Sequence, residues 1–268
     1  YPPVSDRELA AIGDDLVEAA DLAASAGFDG VDVKACHGYL VSETLAAHDR
    51  PDSRYGGTFE NRARLLLDVV GRIRGEAPGL LLTSRLSATD LVPFPFGFGM
   101  DPDAPERPDA AEAKALAGLL GRAGVGFLAL SLGIPAWKPY FGRPFDRPVP
   151  GGQVPPEHPL EGVARHLRFA AEIQAAAPEV AVVGAGYSWL RDLGPGVGAA
   201  MVAAGRTAVF GLGRGALAYP DFAADLVRGG RLDPGKVCTS CSLCSHLLRG
   251  QKPVGCVVRD PEYKEASR

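Results

Sequence analysis

Apolar and polar positions along this chain alternate between two periods, and the alternation repeats. Leu9, Ile12, Leu16, Ala19, Ala20 and Ala23 recur at helical spacing. They follow Ser5-Asp6-Arg7-Glu8, a run in which the serine can accept an orphan helix N–H while the glutamate reaches back, forming a capping box. Gly27 stops this helix, and residues 28–34 then read as a buried strand with polar residues at its far end. The same beat returns with helices at 60–74, 110–123, 160–176 and 198–204, each followed by a short apolar strand at 80–86, 125–132, 180–185 and 208–212. Helices that alternate with short apolar strands predict parallel strands joined by helical crossovers, an α/β chain.

A closed (β/α)₈ TIM barrel has eight strands and typically about 250 residues. Five strands are predicted here, and two Pro- and Gly-rich loops, residues 87–108 and 133–159, absorb much of the length. Loops of this kind gather near substrates, and Trp137, Tyr140 and Phe141 in the second are expected to shape a pocket. After Arg231 the apolar periodicity fades and cysteines accumulate. The expected organisation is a parallel α/β domain over residues 1–231 and a Cys-rich segment over 232–268.

Composition narrows the function classes. The chain has 268 residues, 46% of them hydrophobic, and a net charge of −4 with both signs scattered, which argues against nucleic acid or an anionic membrane as the main partner. No apolar run approaches the roughly 20 residues that span a bilayer, and no signal segment opens the chain, so a cytoplasmic location is expected. The opening Tyr1-Pro2-Pro3 lacks an initiator Met and leads almost at once into a helix, as in a piece of something longer.

The first chemistry-bearing stretch is Val31-Asp32-Val33-Lys34-Ala35-Cys36-His37-Gly38-Tyr39-Leu40. It sets Lys34, His37 and Tyr39 just past a strand end, the face where barrel loops surround a substrate. A tyrosine there can protonate a developing carbanion, and a histidine and a lysine can polarise a carbonyl by hydrogen-bonding its oxygen. Taken singly, each could equally be a packed, capping or solvated residue. Arg50-Pro51-Asp52-Ser53-Arg54-Tyr55-Gly56-Gly57-Thr58-Phe59-Glu60-Asn61-Arg62-Ala63-Arg64 follows a short loop later.

A strand, H-G-Y-L, and then Y-G-G-x-x-E-N-R-x-R resembles the old yellow enzyme and 2,4-dienoyl-CoA reductase family of NADH:flavin oxidoreductases. The resemblance implies that Tyr39 stands at the family's proton-donating tyrosine and His37 at one of two substrate-oxygen ligands. Lys34 occupies the other ligand position, where histidine is usual. An ammonium is a flexible point charge and a neutral imidazole a directed donor, so the family's substrate does not carry over unchanged. Tyr55 to Arg64 builds the loop and next helix, and Cys36 is expected to be a small buried residue.

Arg85 ends the strand Leu80-Leu81-Leu82-Thr83-Ser84-Arg85-Leu86-Ser87. By the resemblance it contacts the pyrimidine end of the flavin, where a fixed positive charge favours the anionic reduced ring. Val182-Val183-Gly184-Ala185-Gly186-Tyr187 invites comparison with a dinucleotide fingerprint, but Trp189 stands where a third small residue is needed, and no acidic residue closes the next strand. Gly186-Tyr187 and Gly213-Arg214 instead read as two strand ends that let the backbone approach a phosphate, with Arg214 adding a charged fork. Barrels often place phosphate after their last two strands, and residues 211–222 resemble the family's G-R-x-x-L-x-x-P-D signature.

Cys238, Cys241, Cys244 and Cys256 are spaced C-x₂-C-x₂-C-x₁₁-C. Four such thiolates can hold a four-iron cluster or a single Zn²⁺. Dienoyl-CoA reductases and amine dehydrogenases of the family carry a 4Fe-4S cluster at this point, with very similar spacing.

The resemblance therefore implies strands four to eight of a barrel that binds FMN, with NAD(P)H or an electron-transfer protein as donor and a small-molecule substrate. An N-terminal segment or a second chain is expected to complete the barrel, and oligomerisation is expected. Reduction of an activated C=C bond is the leading reading. Amine-type oxidation and a non-catalytic zinc-binding subunit are the alternatives.

Overall fold

The computed structural model describes residues 3–266. Tyr1 and Pro2 of the opening tripeptide, and Ser267 and Arg268 at the far end, lie outside the described residues.

Five parallel strands form one sheet in sequence order: β1 (Gly30–Ala35), β2 (Leu81–Ser87), β3 (Phe127–Ser131), β4 (Ala181–Gly184) and β5 (Val209–Phe210). Long helices make the crossovers: α1 (Asp6–Ser25) precedes β1, and α3 (Phe59–Glu76), α4 (Ala111–Arg122), α6 (Pro159–Ala176) and α7 (Gly194–Ala203) join the strands. Short helices decorate the loops: α2 (Leu40–Leu45), α5 (Pro139–Gly142), α8 (Arg214–Ala218), α9 (Phe222–Gly229), α10 (Leu243–Arg249) and α11 (Pro261–Ala266). The expected strands are present within about two residues, except that β5 is confined to Val209 and Phe210. None of the described helices is long and apolar enough to cross a membrane.

The chemistry of the termini explains why α1 begins where it does. Ser5 accepts the Glu8 N–H while the Glu8 carboxylate accepts the Ser5 N–H, so the expected capping box is complete. Strand alternation then decides the layers. Val33, Ala35, Leu82, Leu86, Leu128, Leu130 and Val182 turn to one side and pack into a single core with Leu9, Val17, Leu65, Leu66, Val69, Ile73, Leu116, Leu120, Phe169 and Ile173 of the helices. The opposite, concave side carries Asp32, Lys34, Leu81 and Arg85, all exposed, with Thr83 and Phe127 half-buried between them. Five strands curve around this side without closing it.

The Tyr55–Arg64 stretch is structural. Tyr55 is buried. A Cβ on Gly56 would fall 2.6 Å from the Arg50 carbonyl oxygen, so the turn admits no larger residue. The Arg62 side chain is 3% exposed. It donates to the carbonyls of Gly57 and Leu45 at 3.0 and 2.5 Å, and both its terminal nitrogens meet the Glu112 carboxylate. One guanidinium thus ties α2, α3 and α4 together. Removing one partner from such a buried pair costs about 3–5 kcal/mol. Glu112 keeps some contact with water, so Arg62→Met is expected at the low end, about 3 kcal/mol. A lower urea midpoint at unchanged slope would record it.

The tail is docked on the barrel. A second small core joins Tyr219 to Leu232 and Val237, with Phe222 and Leu226 of α9 against it.

Candidate functional site

The C-terminal ends of β1, β2 and β3 bring the sequence-predicted residues together. Lys34 and Arg85 are register partners on adjacent strands and share the concave face. Among the described residues neither forms an ion pair. The Lys34 Nζ lies 3.2 Å from the centre of the Tyr39 ring, over its negative face. Tyr39 itself precedes α2 and is 61% exposed, which leaves it open to a reactant.

His37 follows β1 in a left-handed conformation, φ 69°, and Gly38 repeats it. A non-glycine residue there is held against its preference, as happens at functional turns. Its Nε2 stands 2.7 Å from the Ser131 Oγ at the end of β3. Burial, then the positive charges of Arg85 and Lys34, push the His37 pKa down to about 4. At neutral pH the ring is an uncharged imidazole with one donor and one acceptor. Sequence reading missed Ser131, whose only signal is its position at the mouth of a parallel strand.

His166 on α6 is a second buried histidine, with Nε2 2.9 Å from the Phe141 carbonyl. Burial is the main cause that holds its pKa near 4. The unfolded chain binds protons at both histidines below about pH 6.5, while the folded chain resists them down to about pH 4. Both therefore contribute stability that is full above about pH 6.5 and is lost as pH falls towards 4. Urea midpoints should drop over that window, and His166→Asn should flatten the drop.

At the other end of the sheet, Gly186 takes φ 89° after β4, and a Cβ there would stand 3.0 Å from the His166 ring. The Gly211 N–H donates to the Gly184 carbonyl at 3.1 Å, which draws the ends of β4 and β5 side by side. Gly213 lies just beyond, with open space where its Cβ would be. This backbone fits close approach by an anion. Two side chains flank these glycines. Tyr187 is wholly buried against Phe210, ring centres 4.8 Å apart, so only its main chain can face a ligand. Arg214 donates to the Pro144 carbonyl at 3.0 Å and lines a cavity with the cysteines.

Cys238, Cys241, Cys244 and Cys256 wall one small cavity with Arg214, Leu217, Ser242 and Val257. Among the described residues no three His, Cys, Asp or Glu side chains converge as a single metal ion requires. The Ser240 N–H donates to the Cys238 Sγ at 3.4 Å. Around the cysteine loop, Arg214 Nη1, Ser240 Oγ and Ser242 Oγ are buried without a partner. Ser240 and Ser242 both adopt left-handed backbone, φ 54° and 62°. Of the unpartnered groups, Arg214 and Ser242 line the cavity, and a buried donor without an acceptor is costly. Cys36, by contrast, is fully buried, and burial raises its thiol pKa to about 11, as befits an inert core residue.

The sequence profile of the NADH:flavin oxidoreductase / NADH oxidase family matches residues 3–97. An NADH oxidase of Thermoanaerobacter brockii is 28% identical over 238 residues, 88% of this chain and 32% of its own length. The 12-oxophytodienoate reductase 1 of Oryza sativa subsp. japonica is 39% identical over 99 residues, 36% of this chain and 25% of its own. Among solved structures, a 2-naphthoyl-CoA reductase in complex with 2-naphthoyl-CoA superposes with a TM-score of 0.72 at 22% identity, covering 96% of this chain and 35% of that one. The chain spans about a third or less of the length of each of these relatives. Its five parallel strands match part of the TIM barrel of old yellow enzyme-like proteins. By these matches the chain is similar to the NADH:flavin oxidoreductase / NADH oxidase family, whose profile covers residues 3–97.

Proposed function

We propose that this chain forms part of an FMN-dependent oxidoreductase that reduces an activated C=C bond, an enone or an enoyl thioester. The carrying observation is the meeting of Lys34, His37, Tyr39 and Arg85 at one end of β1 and β2. Two unpaired cations on an open concave face fit a ligand whose reduced ring is anionic, and the Gly186 and Gly213 backbone fits its phosphate. Arg85 would hold the ring, with Gly186, the Tyr187 main chain and Gly213 at the phosphate. Bound FMN supplies the hydride.

The residues of this chain would do the rest. His37, kept neutral and with Nε2 accepting from the Ser131 hydroxyl, has a protonated Nδ1 left to donate to the substrate carbonyl oxygen. Lys34 adds a positive charge beside the same oxygen and against the Tyr39 ring. Tyr39, exposed at the mouth of the barrel, gives its proton to the α-carbon. The relative named as a 12-oxophytodienoate reductase supports a conjugated carbonyl as the substrate class, and the family name supports NADH as donor.

The four-cysteine cavity is proposed to hold a 4Fe-4S cluster that exchanges single electrons. Four cysteines lining one cavity are the donor set that such a cluster takes.

The test is anaerobic. The intact protein, bleached with one equivalent of NADH, should regain its yellow absorption on addition of a cyclic enone or an enoyl thioester. Bleaching by an amine, with no reoxidation by any enone, would favour oxidation and overturn this reading.

A further inference from the structure

Lys34 and Arg85 set two positive charges side by side at the ends of β1 and β2. Among the described residues no carboxylate pairs with either. Asp32, on the same face, accepts from the Thr83 hydroxyl at 2.8 Å instead. Like charges on neighbouring strands repel at a cost to stability, so the pair calls for anions from outside. The reduced flavin ring supplies a single negative charge, which the proposed site places at Arg85. The charge of Lys34 is left over. Its side chain is exposed, and an ammonium has three N–H donors, so contact with the Tyr39 ring face leaves others open. His37 beside it is a donor of another kind, an uncharged ring with Nε2 at the Ser131 hydroxyl and Nδ1 free to donate. One site thus offers a neutral, directed donor and a fully charged one.

We propose that the substrate is an enone bearing a carboxylate on its carbonyl carbon, a 2-oxo-3-enoate, with His37 at the ketone oxygen and Lys34 at the carboxylate. The inference rests on the reading of the site as a C=C reductase given above. An ammonium bonded to a carboxylate makes a charge-assisted contact about twice as strong as a neutral one, so Lys34 selects the acid. The neutral imidazole matches the ketone oxygen, which gains negative charge only as the β-carbon accepts hydride from reduced FMN. The Tyr39 proton then goes to the α-carbon and the flavin is left oxidised. No bond of the carboxylate changes, so its part is recognition.

The experiment compares 2-oxo-4-phenylbut-3-enoate with its methyl ester as oxidants of the NADH-reduced intact protein. The ester withdraws electrons more strongly, so intrinsic reactivity favours it, and a preference for the acid reports recognition. The parent protein should favour the acid about tenfold or more in kcat/KM. Lys34→Met should lower the acid-to-ester ratio by about tenfold, whatever its effect on the ester itself. In the oxidised holoprotein, where nothing reacts, the saturated acid 2-oxo-4-phenylbutanoate should perturb the flavin spectrum with a dissociation constant about tenfold higher in the variant. Lys34→His keeps a donor and loses the fixed charge; it should lose the preference too, and it carries the test if the Met variant fails to fold. A parent that favours the ester, or a ratio unmoved in both variants, would overturn the inference and leave enone reduction standing. If neither compound nor a simple cyclic enone reoxidises the flavin, the C=C reading itself fails and the inference falls with it.

Discussion

Tyr39→Phe is expected to slow reoxidation of the reduced flavin by an enone about a hundredfold or more, while FMN content and reduction by NADH stay at the level of the parent protein. A positioned general acid contributes about 10²- to 10⁴-fold. Here the acid must reach the α-carbon of a substrate lying on the concave face, and Tyr39 is the exposed hydroxyl next to Lys34 and His37. Phenylalanine keeps the ring over which the Lys34 ammonium lies and loses only the proton. The split between half-reactions is the informative readout. A variant slowed equally in both would place Tyr39 in flavin positioning, and an unaffected one would exclude it as the acid. Quinones, which need no carbon protonation, should reoxidise the variant at the parent rate.

The second large effect is at the cysteines. Cys241→Ser is expected to abolish the broad iron–sulfur absorption and remove most of the bound iron. Cys241 is the middle residue of the three-cysteine run and walls the cavity with the other three. A hydroxyl replaces the soft thiolate that such a cluster requires. The sheet and its main core do not include this segment, so the barrel should stay folded and keep FMN. The smaller core of Tyr219, Leu232 and Val237 borders the loop, and its loosening would appear as faster proteolysis of the tail alone. Retention of a stoichiometric metal after the substitution would mean that Cys241 is not a ligand.

Local chemistry made the fold legible. The Ser5–Glu8 box, the apolar strands and the helical spacing each act over a few residues, and each appears where the pattern puts it. β5 is shorter than its apolar run because pairing continues only while neighbouring backbone follows: Gly211 reaches Gly184, and beyond that β4 has ended. The placement of Lys34, His37, Tyr39 and Arg85 was legible too, since strand ends in a parallel sheet gather on one face.

What was hidden depends on contacts between distant segments. The Ser131 hydroxyl is 94 residues from the ring it meets, and nothing in the run Phe127–Ser131 marks it. Arg62 reads as a motif residue and proves to be the buried tie between three helices, because Glu112 arrives from α4. Arg214 illustrates the limit most clearly. The sequence sets its backbone beside Gly213, but Pro144, whose carbonyl it meets, and the cysteines of its cavity lie outside its own motif. Tyr187 shows the reverse, a residue at the right turn whose ring packs inward against Phe210.

One measurement tests both halves of the proposal that this chain is part of a flavin enzyme with a redox-active metal centre. The intact protein, purified without oxygen, would be examined by absorption spectroscopy with iron, zinc and FMN quantified in the same sample. The account predicts flavin bands over a broad iron–sulfur background, with one FMN and about four irons per chain. A colourless protein containing zinc and no flavin would contradict it and leave a structural scaffold in its place.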